Sequence, residues 1–97
     1  MRLISQDGMI DIPYDYFSLT IATGKYDDVE VASIYCHNLS SPKGTKLAEY
    51  SSKEKAEKSM EMLHNDYYDH VAEKTYQKGS YYIHPCFRFP QDEDVEV

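Results

Sequence analysis

Two short stretches bring together side chains that can hold metals or move protons. Cys36 and His37 are adjacent, and His84-Pro85-Cys86 sets an imidazole and a thiol on either side of a proline. Thiolate and imidazole are the ligands of zinc sites. Neighbouring strand residues point to opposite faces, so Cys36 and His37 diverge, whereas His84 and Cys86 share a side. Zinc sites usually show close ligand pairs on both sides of the ion, so the thiols are expected to be reduced and packed, with no metal and no cofactor. In "HNDYYDH", Asp66 and His70 stand one helical turn apart, the geometry of a base with the carboxylate that orients it. Nothing in the sequence sets a nucleophile beside them, and His64 and His70 diverge around the helix, so a surface contact is the expectation. The loop "SSPKGTK" has a phosphate-binding flavour but lacks the spacing of a P-loop. No nucleophile elbow, zinc-protease or calcium-loop pattern occurs. An enzyme is not expected.

The fuller pattern is acidic. Between Glu61 and Glu73 there is no lysine or arginine. At 100° per residue, Asp66, Asp69 and Glu73 fall on one helix flank with Met62 beside them, and neighbouring carboxylates there are about 5–6 Å apart. Such a ridge can imitate a run of phosphates and dock in a basic groove; the plainer account is a solvated helix face. Met62, Asp66, Asp69 and Glu73 are therefore the candidate partner-binding residues.

The element that positions them begins at "EYSSKEKAEKSMEML". Ser51 with Glu54 reads as an N-cap and capping box. Ala56, Met60, Leu63, Tyr67 and Val71 then recur at helical spacing, predicting a helix from about residue 52 to 74 with Gly79 beyond its end. Ahead of it, "LISQDGMIDI" reads as a hairpin turning at Asp7-Gly8. "FSLTIA" and "VEVASIYC" alternate as a second hairpin around a polar turn from Gly24 to Asp28. "HNLSSPKGT" reads as a loop, "KLAEY" as a short strand, and "YYIHPCFRF" as a last strand or extended arm, at an edge because of Pro85. The expected fold is α+β: a mainly antiparallel sheet of four to five strands with one long helix packed across it. Residues 1–90 form one domain, and residues 91–97 an acidic, flexible tail in solvent. The expected core is Leu3, Ile12, Phe17, Leu19, Ile21, Val31, Ile34, Leu47, Ala56, Met60, Leu63, Tyr67 and Val71.

Composition narrows the function. The chain has 97 residues, 41% of them hydrophobic, with 17 acids against 10 bases for a net charge of −7. That suits one globular domain, and a surface this acidic repels nucleic-acid phosphates, so direct nucleic-acid binding is not expected. No apolar run is long enough to span a membrane and "MRLISQDG" does not read as a secretory signal, so a cytoplasmic protein is expected. There are ten tyrosines and no tryptophan. Tyrosine is enriched at interfaces, and half-buried strands also favour it.

Two resemblances bear on this. The junction "AEYSSKEKA" is similar to the strand-to-helix junction of ethylene-response and integrase-arm domains, in which a three-stranded sheet packed on one helix reads the DNA major groove. The arginines such a sheet needs are missing: Arg2 and Arg88 are the only ones, and "FSLTIA" has no base. "RLISQDGMIDIPYD", "KLAEYSSKEKAEKSMEML" and "FRFPQDEDVEV" together resemble a family of small prophage and mobile-element proteins of Gram-positive bacteria. The likeness covers most of the chain in order. It implies a setting, an accessory protein in the cytoplasm of a bacterial host cell, and brings no activity or site residue with it.

The expected function is thus non-enzymatic protein binding by a phage or mobile-element accessory protein. In its sharpest form it is an acidic, nucleic-acid-mimicking inhibitor of a defence nuclease, of the anti-CRISPR or anti-restriction kind, with a basic partner. The alternatives are a nucleic-acid-binding regulator using the sheet face, a metal protein or small enzyme built on Cys36, His84 and Cys86, and a structural or assembly component of the phage, including a homodimer.

Overall fold

A computed structural model of the chain describes residues 1–76 and 86–97, with the backbone alone for residue 70 and residues 72–76. The elements are β1 (Arg2–Ile4), β2 (Asp11–Pro13), β3 (Ser18–Tyr26), β4 (Val29–Asn38), β5 (Ser41–Tyr50), α1 (Lys53–Tyr76) and β6 (Cys86–Arg88). Short 3-10 turns lie at Tyr14–Tyr16 and Asp92–Asp94. The fold is α+β, but the strands form two three-stranded sheets, ordered β2-β1-β6 and β3-β4-β5, in place of the single sheet expected. β1 pairs antiparallel with β2 and parallel with β6, while the second sheet is antiparallel throughout. α1 packs across the second sheet, touching all three of its strands.

The sheets stay separate because of what happens at β5. Pairing with β4 shifts register between Ile34 and Tyr35, which leaves Leu47 as a bulge between Lys46 and Ala48. The freed Leu47 carbonyl accepts the Gln6 N–H at 2.8 Å. Beyond it, Glu49 N–H donates to the Gln6 side chain at 3.0 Å. A side chain thus meets the β5 edge where a continuing ladder would need backbone, and β1 does not join the sheet.

Local chemistry explains the turns. The β3–β4 hairpin closes on Tyr26 opposite Val29, so the turn is Asp27-Asp28 alone and Gly24 lies inside the strand. Both turn residues have positive φ, +50° and +64°, as a two-residue turn of matching twist requires. The first hairpin is longer than the sequence suggests. Ser5 and Ile10 pair across it, Gly8 N–H bonds the Ser5 carbonyl at 2.9 Å, and Asp7 accepts from Ser5 Oγ at 2.6 Å and Met9 N–H at 3.0 Å. The stretch expected to be a loop, "HNLSSPKGT", is instead mostly strand: β4 runs to Asn38, β5 starts at Ser41, and Pro42 and Gly44 sit in an edge strand where a missing donor is tolerated.

α1 starts one residue later than its cap was expected. Ser52 Oγ accepts from Lys55 N–H at 3.2 Å, making Ser52 the N-cap. Ser51 is unavailable because its N–H and hydroxyl both go to Asp92, so the expected Ser51–Glu54 box does not form. The helix buries Ala56, Ser59 and Leu63, with Met60 and Tyr67 half-buried at the margin. Val71, placed in the core by its spacing, is 45% exposed. Eight residues beyond Leu63, it has rotated about 80° off the buried line. Val31, also expected inside, lies on the outer sheet face opposite Gly24.

One core joins the two sheets and the helix. It holds Leu3, Ile34, Leu47, Ala56 and Leu63 as expected, with Ile12, Phe17, Leu19, Ile21 and Met60 packed around it. It also takes Phe87, Phe89 and Val95 from the C-terminal segment. Val95 is 3% exposed, which corrects the expectation that residues 91–97 form a tail in solvent: Glu93, Asp94 and Glu96 face out while the valine anchors the segment. Deleting that anchor gives a direct check. Val95→Ala is expected to lower stability by about 1–2 kcal/mol in urea unfolding, where a free tail would show no change. At the β3–β4 turn, Asp28→Gly removes a left-handed strain and is expected to raise stability by about 0.5–1 kcal/mol in the same assay.

Candidate functional site

The acidic flank is built by helix register. Met62, Asp66 and Asp69 stand within about 60° of one another and of Lys55, two to four turns along the same side of α1. Met62 is 38% exposed, and Asp66 and Asp69 are exposed. Glu73 belongs to the same flank by register, and its side chain lies outside the described residues. The helix lysines nearby are already paired: Lys53 with Glu57 at 3.6 Å and Lys58 with Glu61 at 3.5 Å. Asp66 and Asp69 form no ion pair among the described residues, so their charge is turned outward.

The C-terminal segment docks at the near end of this flank. Asp92 Oδ1 accepts from Ser51 N–H at 2.8 Å and from Ser51 Oγ at 3.1 Å. Lys55 Nζ donates to the Asp92 carbonyl at 2.9 Å and sits 3.4 Å from its carboxylate. The Ser51 amide, with the Ser51 hydroxyl and Lys55 beside it, holds the Asp92 carboxyl below its ordinary value of 3.8. Glu93, Asp94 and Glu96 are exposed around this anchor. The acidic surface is thus composite, with tail acids beside Lys55 at one end and Asp66 and Asp69 about 16 Å and about 21 Å further along the helix. Sequence reading found the helix half and missed its junction with the tail; the hydrophobic spacing of Phe87, Phe89 and Val95 was the available signal.

The two cysteines stand in different sheets. Cys36 is buried on β4, where burial pushes its thiol up, and Cys86 is exposed on β6 in the other sheet. His84 lies outside the described residues, as does the side chain of His70, the expected partner of Asp66. Among the described residues no three metal-binding side chains cluster.

His37 has a different role. Its Nε2 lies 2.8 Å from Thr20 Oγ1 and its Nδ1 3.0 Å from the Pro42 carbonyl. The carbonyl can only accept, so Nδ1 donates to it, and the threonine hydroxyl can serve Nε2 as donor or acceptor. A Cβ at Gly44 would meet His37 Cε1 at 2.5 Å, and Gly44 has φ of +84°. The ring therefore clamps the irregular end of β5 against β3, at the side of a shallow depression of about 710 Å³ lined also by Asp15, Tyr16, Phe17 and Leu39. The arginines are likewise committed to structure: Arg2 pairs with Asp11 at 2.8 Å, and Arg88 donates to the Gln6 carbonyl at 3.2 Å. On the outer face of the β3-β4-β5 sheet, Lys46 lies 3.5 Å from Glu49.

The Asp92 contact sets a pH dependence. A carboxyl lowered in the folded state contributes stability above its unfolded pKa, and that contribution disappears as pH falls through the folded value. Asp7, lowered chiefly by the Ser5 hydroxyl, acts in the same direction. Stability is expected to fall from about pH 4 downward. In Asp92→Asn that acid limb should be shallower, read as urea midpoints at pH 7 and pH 3; an unchanged limb would show that the contact carries none of the dependence. Comparison of the chain with protein-family models, with curated proteins and with solved structures found no match.

Proposed function

We propose that this chain is a non-enzymatic protein-binding module whose acidic flank docks on a basic partner, acting as an accessory protein of a phage or mobile element in a bacterial cytoplasm. The observation that carries the reading is the docked tail. Anchoring by Val95 and Asp92 presents Glu93, Asp94 and Glu96 as part of one surface with Asp66 and Asp69. Carboxylates held on a rigid helix and a pinned segment lose little freedom on binding, and their combined field steers a basic groove toward them. A groove that ordinarily holds nucleic acid has that charge and that elongated shape. The sharpest form of the proposal is therefore an inhibitor that occupies the nucleic-acid groove of a defence nuclease. Met62 supplies an apolar contact in the middle of the charged row, the kind of adaptable anchor that binding surfaces use.

The test is capture of partners from a nuclease-treated host lysate with tagged protein, followed by kinetics on the retained partner. A basic nucleic-acid-handling protein is expected, released by added DNA. Its association should slow at least about tenfold when salt is raised from low to physiological levels. Asp66→Lys with Asp69→Lys, and separately Glu93→Lys with Asp94→Lys, should each abolish capture while leaving the circular dichroism spectrum unchanged. Capture that survives both pairs of reversals would sink the reading.

A further inference from the structure

The hairpin between β1 and β2 turns at Asp7-Gly8, and the fold leaves little choice at either position. Gly8 has φ of +77°, in the left-handed region, and a Cβ there would stand 3.2 Å from the Arg88 guanidinium that reaches over it. Any side chain at residue 8 is therefore strained and crowded. Asp7 supplies the acceptor that closes the turn: its Oδ1 takes the Ser5 hydroxyl at 2.6 Å and the Met9 N–H at 3.0 Å. Aspartate is suited to this because its short side chain bonds the backbone two residues on. Among the aspartates and asparagines of the chain, Asp7 alone precedes a glycine.

That dipeptide has a chemistry of its own. Glycine has no side chain to shield its backbone nitrogen, so the nitrogen can attack Cγ of the aspartate before it. The N–Cγ bond closes a succinimide ring, and the amide hydrogen leaves with the carboxyl OH as water. Water then opens the ring at either carbonyl. Addition at the side-chain carbonyl restores aspartate. Addition at the main-chain carbonyl gives isoaspartate, in which the backbone runs through the side-chain carbons and the α-carboxylate hangs free. One water leaves and one returns, and no other reactant is needed. Three contacts oppose the first step in the folded chain. Gly8 N–H is given to the Ser5 carbonyl at 2.9 Å. The Asp7 carboxyl must turn out of its bonds to Ser5 and Met9 to offer Cγ to that nitrogen. The Ser5 hydroxyl, and after it the Met9 N–H, hold this carboxyl below its ordinary value of 3.8, so it stays ionised and keeps its oxygen. Ser5 is itself fixed: it is 1% exposed, and its Oγ accepts the Ile10 N–H at 3.0 Å.

We infer that Asp7-Gly8 is a site of covalent self-modification to isoaspartate, shut while Ser5 holds the turn and reactive when the turn opens. Its rate follows the population of the opened turn, because opening and closing are fast beside ring closure. The product is not neutral to the fold. Isoaspartate lengthens the main chain by one carbon between Gln6 and Gly8. Gly8 N–H must there reach Ser5, while Gln6 must reach Leu47, Glu49 and Pro90. The modification therefore loosens the contact that joins the two sheets. The freed α-carboxylate also makes the aged chain a substrate for methyl transfer, the class of reaction that can return isoaspartate to the succinimide.

The measurement holds the full chain at pH 7, folded and in urea, and follows isoaspartate at residue 7 over weeks. Labelling of the α-carboxylate by an isoaspartyl methyltransferase gives the amount, and peptide mapping gives the position. Accumulation at Asp7 is expected to be at least about tenfold faster in urea than in the folded chain. Folded Ser5→Ala, checked by circular dichroism, should accumulate it at least about threefold faster than the parent. Val95→Ala, which lowers stability far from the turn, should stay close to the parent rate, so that a local gate is told apart from general loosening. Should Ser5→Ala fail to fold, Ser5→Cys takes its place, since a thiol of similar size is a weaker donor. No isoaspartate at residue 7 in urea would overturn the inference. So would equal rates folded and in urea, or a Ser5 variant no faster than Val95→Ala.

Discussion

Gln6 uses every polar group it has to tie distant segments together. Its N–H goes to the Leu47 carbonyl at 2.8 Å and its carbonyl accepts from Gln91 Nε2 at 2.8 Å and Arg88 at 3.2 Å. Its side-chain oxygen accepts from Glu49 N–H at 3.0 Å and its amide nitrogen donates to the Pro90 carbonyl at 3.1 Å. The same Pro90 carbonyl accepts the hydroxyl of the buried Tyr50 at 2.8 Å. The orientation of the amide is fixed by its partners, because Glu49 offers only a donor and Pro90 only an acceptor. No other side chain type of that length supplies both. Glutamate would face the Pro90 carbonyl with a charge, and methionine would leave Glu49 N–H and the Pro90 carbonyl without that partner, a loss of more than the bonds themselves.

From this node the rest of the architecture follows. Holding β1 against β5 by a side chain keeps the two sheets distinct, and holding Pro90 leads the chain on to Asp92 and Val95. Those two residues then fix the start of α1: Asp92 occupies Ser51, which leaves Ser52 to cap the helix. The cap, the tail and the sheet boundary are consequences of one set of contacts between the first ten residues, the end of β5 and the last ten.

What the sequence showed was what local chemistry dictates. The alternation in "FSLTIA" and "VEVASIYC", the turn residues and the helical spacing from Ala56 to Tyr67 each specify an element within a few residues of its observed place. What it did not show was set by contacts between residues far apart in the chain. The bulge at Leu47 exists because Gln6 receives it. Ser51 and Ser52 are equal as caps until Asp92 takes one of them. "QDEDVEV" has the composition of a solvated tail, and only its place in the core makes Val95 an anchor. The candidate site divides in the same way. Met62, Asp66 and Asp69 were legible from helix periodicity, whereas their continuation into Glu93 and Asp94 was not, because it passes through Lys55 and Asp92 in space and not along the chain.

The helix has two distinct exposed sides for the same reason. Its buried line is narrow, with Ala56, Ser59 and Leu63 fully enclosed, so both flanks meet the surface. One flank runs beside the docked tail and carries Asp66 and Asp69 with Met62 between them and Lys55. The other runs beside the outer edge of β3, unpaired among the described residues, where Leu19, Ile21 and Met60 stay half-covered. A chain this short has little spare core, and apolar side chains left partly wet cost stability. Charge lies on one side of the helix and the β3 edge on the other. The fold keeps them apart by setting a full helix diameter between them.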